Sequence, residues 1–185
     1  METFKELKQF QIFLPAIAVL VGIMCLLMLI SGGSSEPSQV STAYFSVPFE
    51  ENVKFIITSP FGSRTHPITK EKGKFHPAID LVAPAGTEIL ASADGTVVSA
   101  RFEKGGGWTV VIEHRFENIT YQTVYSHMLE NSVIVSVGEL VLKGQKLGVI
   151  GTTGDSTGIH LHFSLYSPNR SKDSYAIDPI FIVKK

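Results

Sequence analysis

The chain has 185 residues, enough for one domain with appendages, and its 16 basic and 17 acidic residues leave a formal net charge of -1. Nothing in that balance suggests a nucleic-acid binder, which usually carries a basic stripe, and no nucleic acid is expected as a partner. A single cysteine, Cys25, excludes an intrachain disulfide, so the folded part must be held by its apolar core or by a metal.

Residues 1–11 form a short tail carrying Lys5 and Lys8, and Ile12 to Ile30 is a run of 19 residues without a charge. Such a run is long enough to cross a bilayer as one helix. Pro15 falls near its start, where a helix tolerates proline. No Lys or Arg follows until Lys54, an asymmetry that predicts a cytoplasmic amino terminus and a remainder outside the membrane. The alternative is a cleaved signal peptide. Against it, the apolar run is long for a signal core and no A-x-A site follows. Gly22-Ile-Met-Cys25 is a poor lipoprotein signal, because Met24 is large where a small residue is wanted. Residues 31–43, "SGGSSEPSQVSTA", are small, polar and non-periodic and read as a flexible linker reaching at most about 45 Å. One domain is expected over residues 44–185.

In that domain short β runs are punctuated by turns. "KFIIT" precedes the turn "SPFGSR", and "AIDLVAP" leads into "APAGT". "EILASA" and "GTVVSARF" flank Asp94-Gly95, a hairpin signal. "WTVVIEH" and "YQTVYSHM" read as a second hairpin, "SVIVSVGELVLKGQKLGVIG" as two short strands, and "IHLHFSLY" as a late central strand. Helical periodicity is almost absent after residue 43. The fold class expected is all-β, a compact antiparallel sandwich or partly open barrel preceded by one transmembrane helix.

Six histidines, His66, His76, His114, His127, His160 and His162, supply the candidates for chemistry. Side chains at i and i+2 of a strand share a face, so His160 and His162 stand together while Leu161 and Phe163 turn to the core. "HPAID" places His76 and Asp80 four apart. Histidine and carboxylate are common zinc ligands, and catalytic zinc typically has three protein ligands and a water. One imidazole from the 160/162 pair would complete a His-Asp-His set. No H-E-x-x-H helix offers a glutamate base.

"SPFGSRTHPIT", "HPAIDLVAPAGTEILASADGTVV", "YQTVYSHM" and "VSVGELVLKGQKLGVIGTTGDSTGIHLHFSL" follow one another in the order and spacing of the lysostaphin/LytM-type zinc metallopeptidases. The chain resembles that family of peptidoglycan endopeptidases over about Ser59 to Tyr166. The resemblance implies that His76, Asp80 and His162 hold one Zn²⁺ per chain. It implies that His160 and His127 are catalytic, orienting or deprotonating the water and stabilising the oxyanion. His66 is expected to line the groove or serve structure, and Arg64 and Thr152 to line a cleft. His114 and Asp178 are expected at the surface, and Gly151, Gly154 and Gly158 at turns. The chain departs from the family pattern at Ala78 (usually Gly), Ile159 (usually Pro) and Ser164 (usually Glu). Ala78 adds a Cβ where a tight turn is expected.

The expected activity is a membrane-anchored zinc endopeptidase that hydrolyses peptide stems or cross-bridges of peptidoglycan outside the cytoplasmic membrane. Beyond the substrate, the partners expected are those of an envelope-spanning complex. The alternatives are an inactive scaffold on the same fold, against which all five site residues speak, and a lipoyl-type domain. The latter is suggested by "VSVGELVLKGQKLGVI" but requires a modified lysine at a turn tip and leaves the histidines unexplained.

Overall fold

The structure is a computed structural model that describes residues 44–66 and 68–183. The tail, membrane segment and linker expected before Tyr44 lie outside the described residues. Among the described residues no helix is long and apolar enough to cross a membrane.

One antiparallel sheet organises the domain. Its strands run in the order β1 (Ile56–Ser59), β4 (Ile79–Val82), β11 (Leu161–Tyr166), β8 (Ile119–Met128), β7 (Gly107–Phe116), β6 (Gly95–Glu103) and β9 (Leu140–Val141). A short β12 (Ala176–Ile177) pairs with the end of β11. The sheet does not close, because β1 and β9 lie at opposite ends of the order. Two ribbons complete the β structure: β5 (Glu88–Leu90) with β10 (Lys146–Val149), and β2 (Gly62–Arg64) with β3 (Lys74–His76). A single turn of helix, Ile180–Val183, follows β12.

Alternation explains the layers. On β11, Leu161, Phe163 and Leu165 are buried to within 1%. They join Ile79 and Leu81 of β4, Val110 and Ile112 of β7, and Ile89 and Leu147 of the β5–β10 ribbon in one apolar cluster. The ribbon therefore packs on the inner face of the sheet. Truncating Phe163 to Ala would cost about 3–5 kcal/mol. The intervening residues face the other way. His162 lies opposite Asp80 on one side and Ser126 on the other, so the register sets an Asp80–His162–Ser126 row across three strands.

The β7–β8 hairpin forms as the sequence predicts, turning at Glu117-Asn118. The Asp94-Gly95 hairpin does not. β5 pairs with β10, while β6 pairs with β7 and β9. Two local demands claim the dipeptide instead. The Asp94 carboxylate accepts from the Lys143 backbone N–H at 2.6 Å. A Cβ on Gly95 would fall 2.5 Å from the Glu113 carbonyl oxygen, so close packing against β7 sets the glycine.

His114 is a second correction. It is fully buried rather than at the surface. Its Nδ1–H donates to the Asp94 carbonyl at 2.8 Å, and its Nε2 accepts from the Thr123 hydroxyl at 2.8 Å. Thr123 then accepts from the Tyr125 hydroxyl at 3.0 Å, which accepts in turn from the Ser92 N–H at 2.8 Å. Burial lowers the His114 pKa, against smaller opposing effects of Asp94 and Glu113, and raises that of Tyr125. Both groups are therefore neutral members of one directed chain.

Candidate metal and catalytic site

A cleft of about 540 Å³ opens on the outer face of β4, β11 and β8, and it is lined by Asp80, His127, His160 and His162 together with Arg64 and His66. His76 sits just beneath, 3% exposed. His76 Nε2, Asp80 Oδ1 and His162 Nδ1 form a trio. His76 Nε2 is 3.2 Å from His162 Nδ1 and 3.3 Å from Asp80 Oδ1, and His162 Nδ1 is 3.0 Å from Asp80 Oδ1. Three ligands of a tetrahedral zinc at its usual bond lengths stand about 3.3 Å apart, so the donor set fits such an ion. The outer contacts fit as well. His76 Nδ1–H donates to the Pro60 carbonyl at 2.9 Å, which turns the Nε2 lone pair into the trio.

Burial alone would raise the Asp80 carboxyl pKa. Hydrogen bonds and attraction from His162 and His76 more than offset it and hold the group below the usual carboxylate range. Burial lowers the His162 pKa. An anionic carboxylate and neutral imidazoles are the protonation states that a divalent cation requires.

Two further imidazoles face the same space. His127 Nδ1–H donates to the Thr153 carbonyl at 2.8 Å. His160 Nδ1–H donates to the Gly158 carbonyl at 2.8 Å, and its Nε2 stands 3.8 Å from Asp80 Oδ1. The ring centroids of His127 and His160 are 4.7 Å apart. In each ring a backbone carbonyl fixes the proton on Nδ1 and leaves Nε2 as an acceptor. His127 is pushed down to about 4, chiefly by burial and further by His162 and His160, against the Thr153 bond and Asp80.

Bulges aim these residues. Between the pairs Val110↔Tyr125 and Trp108↔Met128, β8 holds one residue more than β7. His127 lies there with φ at 61°. The extra residue lets Ser126 and His127, neighbours in sequence, both line the cleft while Tyr125 and Met128 stay in the core. A second bulge, between Ile57 and Ser59, does the same for Thr58 and Ser59 and sets Ser59 opposite Asp80. The bulged segment is clamped. The His127 N–H donates to the Gly106 carbonyl at 2.7 Å, and the Thr153 hydroxyl donates to the Met128 carbonyl at 2.6 Å. Gly154 has φ at +75°, and a Cβ there would fall 2.3 Å from Gly107 N, so the two loops around His127 meet backbone to backbone.

The structure thus brings together all five residues singled out in the sequence. His160 lies just before β11, bridged to Gly151, rather than inside the strand. Other expectations change. Thr152 does not line the cleft; its hydroxyl bonds Ser156 at 3.0 Å. Gly151 serves close packing, since a Cβ would meet Leu129 N at 2.4 Å, and Gly158 has open space and no left-handed φ. Ala78 is fully buried and outside the left-handed region, so its Cβ is accommodated. Asp178 is exposed, as expected. Sequence reasoning missed the carbonyls of Pro60, Thr153 and Gly158, which carry no side-chain signature. The consecutive polar pair Ser126-His127 in an alternating strand was the available sign of the bulge.

Comparison with known proteins agrees with this geometry. Residues 74–179 match Peptidase family M23, and the chain belongs to that family. It is 37% identical over 123 residues to the peptidoglycan DD-endopeptidase ShyB of Vibrio cholerae, covering 66% of this chain and 28% of that protein. Among solved structures it resembles a zinc-containing peptidase from Vibrio cholerae, with TM-score 0.61 and 30% identity, over 77% of this chain and 40% of that one. It also resembles the catalytic domain of the antimicrobial peptidase lysostaphin from Staphylococcus simulans, with TM-score 0.60 and 29% identity, over 72% of this chain and 94% of that domain. The match spans between a quarter and a third of the first curated relatives, at 32%, 25% and 28% of their lengths.

Proposed function

We propose that the chain is a zinc-dependent peptidoglycan endopeptidase, anchored by residues 12–30 with residues 44–185 outside the cytoplasmic membrane. The observation that carries this reading is one cleft that joins the His76–Asp80–His162 trio to two imidazoles with open Nε2 atoms. The relative named as a DD-endopeptidase makes that bond class the first substrate to test.

His76 Nε2, Asp80 Oδ1 and His162 Nδ1 would hold the zinc. When bound, zinc acidifies a water and polarises the scissile carbonyl. The chain's own residues manage the proton. Among the described residues that line the cleft none is a glutamate, Asp155 being its carboxylate besides Asp80, and His160 and His127 present Nε2 acceptors beside the trio. They orient the attacking water and accept its proton at Nε2. The imidazolium so formed donates a hydrogen bond to the charge developing on the carbonyl oxygen. It then returns the proton to the departing amine. Neither ring needs to turn during this exchange, because each Nδ1–H stays on its carbonyl.

The test is digestion of purified peptidoglycan by the full chain, with and without a chelator. New amino groups and the conversion of cross-linked to uncrosslinked fragments are the readouts. The expected result is chelator-sensitive cleavage restored by zinc. One bound zinc per chain with no bond cut in any wall type would reduce the site to a structural role.

A further inference from the structure

The Asp80 carboxylate turns one oxygen to the histidines and the other away from them. Oδ1 lies 3.3 Å from His76 Nε2 and 3.0 Å from His162 Nδ1, while Oδ2 accepts from Arg64 Nη1 at 3.0 Å. The same Nη1 also donates to the Ser59 hydroxyl. Ser59 is buried, and its Oγ lies 3.5 Å from His76 Nδ1. One guanidinium nitrogen thus bonds a carboxylate of the trio and a hydroxyl that stands beside a second member of it.

The fold is arranged for this contact. The bulge in β1 sets Ser59 across from Asp80. In the β2–β3 ribbon Gly62 pairs with His76 and Arg64 with Lys74, so Arg64 is carried on the same ribbon as His76. Phe61 and Phe75 pack edge to face at 5.2 Å beside that ribbon. The Asp80 side chain is 9% exposed and that of Arg64 20%, so the pair is shielded from water. A shielded carboxylate oxygen without a donor is costly, and a second oxygen free to swing would compete with the first for the same partners.

We infer that Arg64 is a positioning residue for the metal site, holding Asp80 Oδ2 so that Oδ1 is the oxygen turned to His76 and His162. Arg64 also lines the cleft, and a guanidinium there could instead grip a substrate carboxylate. The two roles separate experimentally, because only the first acts on metal affinity in the absence of substrate.

This inference rests on the zinc reading above, and its test does not require turnover. Zinc affinity of the full chain is measured by competition with a chromogenic chelator for wild type, Arg64→Gln and Arg64→Lys. The expected result is a Kd weakened about 10–100-fold in Arg64→Gln, the range typical of lost outer contacts to metal ligands. Arg64→Lys, which keeps the charge and reaches one partner, should recover part of that loss. Unfolding of the zinc-free proteins serves as the folding control. If Arg64→Gln does not fold, the lysine variant decides, with at least a severalfold weaker Kd expected. Unchanged zinc affinity in the folded variants overturns the inference, and a raised KM beside that unchanged affinity assigns Arg64 to substrate. Failure of wild type to bind zinc would instead overturn the zinc reading itself.

Discussion

His114 and His127 sit on adjacent strands of one sheet and are buried to 0% and 6% exposure. Burial pushes both rings toward the neutral form. They differ in what their nitrogens meet. Each donates Nδ1–H to a backbone carbonyl, but His114 Nε2 is satisfied by Thr123. His127 Nε2 makes no hydrogen bond among the described residues and faces the cleft. Burial and a depressed pKa therefore do not mark a reactive histidine in this domain. An unsatisfied nitrogen held toward a cleft does, and His160 repeats the arrangement from the other side.

The comparison breaks most sharply at the ligands. His162→Ala removes one of three donor atoms and should abolish turnover together with stoichiometric zinc, checked by metal analysis of the purified protein. Full zinc occupancy in that variant would remove His162 from the metal site. The next effect separates the open rings from the ligands. His160→Ala and His127→Asn should each lower kcat by about 10²–10⁴-fold with zinc retained. Asparagine is chosen at 127 because it tolerates the left-handed backbone there better than alanine.

The contrasting prediction concerns the closed ring. His114→Ala removes the imidazole partner of the Asp94 carbonyl and of the Thr123 hydroxyl and opens a cavity. It should destabilise the domain by about 2–3 kcal/mol in denaturant unfolding, with kcat unchanged at temperatures where the variant is folded. A large kcat loss without destabilisation would dissolve the distinction between the two histidines.

The smallest effect is in the pH profile. The folded His114 stays neutral while the unfolded ring takes up a proton below about pH 6.5. Stability should therefore be fully present above that pH. As pH falls toward the folded pKa it should be lost by at most about 1.4 kcal/mol per unit. Subtracting the profile of His114→Gln from that of wild type isolates this slope, and a flat difference would show that the folded ring protonates as readily as the unfolded one.

These contrasts also mark how far the sequence could be read. The alternation in "IHLHFSLY" correctly separates Leu161 and Phe163 from His162, because a strand has only two faces. The spacing of His76 and Asp80 and the "YSHM" element lead to residues that the fold does bring together. His114 was misread because strand-end position gives no hint of the polar chain that receives it. The Asp94-Gly95 dipeptide has the composition of a hairpin turn, yet long-range packing against Glu113 and the bond to Lys143 decide its conformation. Arg64 is named from the sequence as a cleft residue, but its bond to Asp80 and the three carbonyls that fix the histidine tautomers are not legible there. Such contacts join residues distant in sequence and leave no local pattern.

The most direct test of the account is zinc stoichiometry and peptidoglycan turnover measured on one preparation of the His127→Asn full chain beside wild type. The account predicts about one zinc per chain in both and turnover reduced at least about 100-fold in the variant. Wild-type turnover in His127→Asn would contradict the claim that an open Nε2 beside the metal site performs the chemistry.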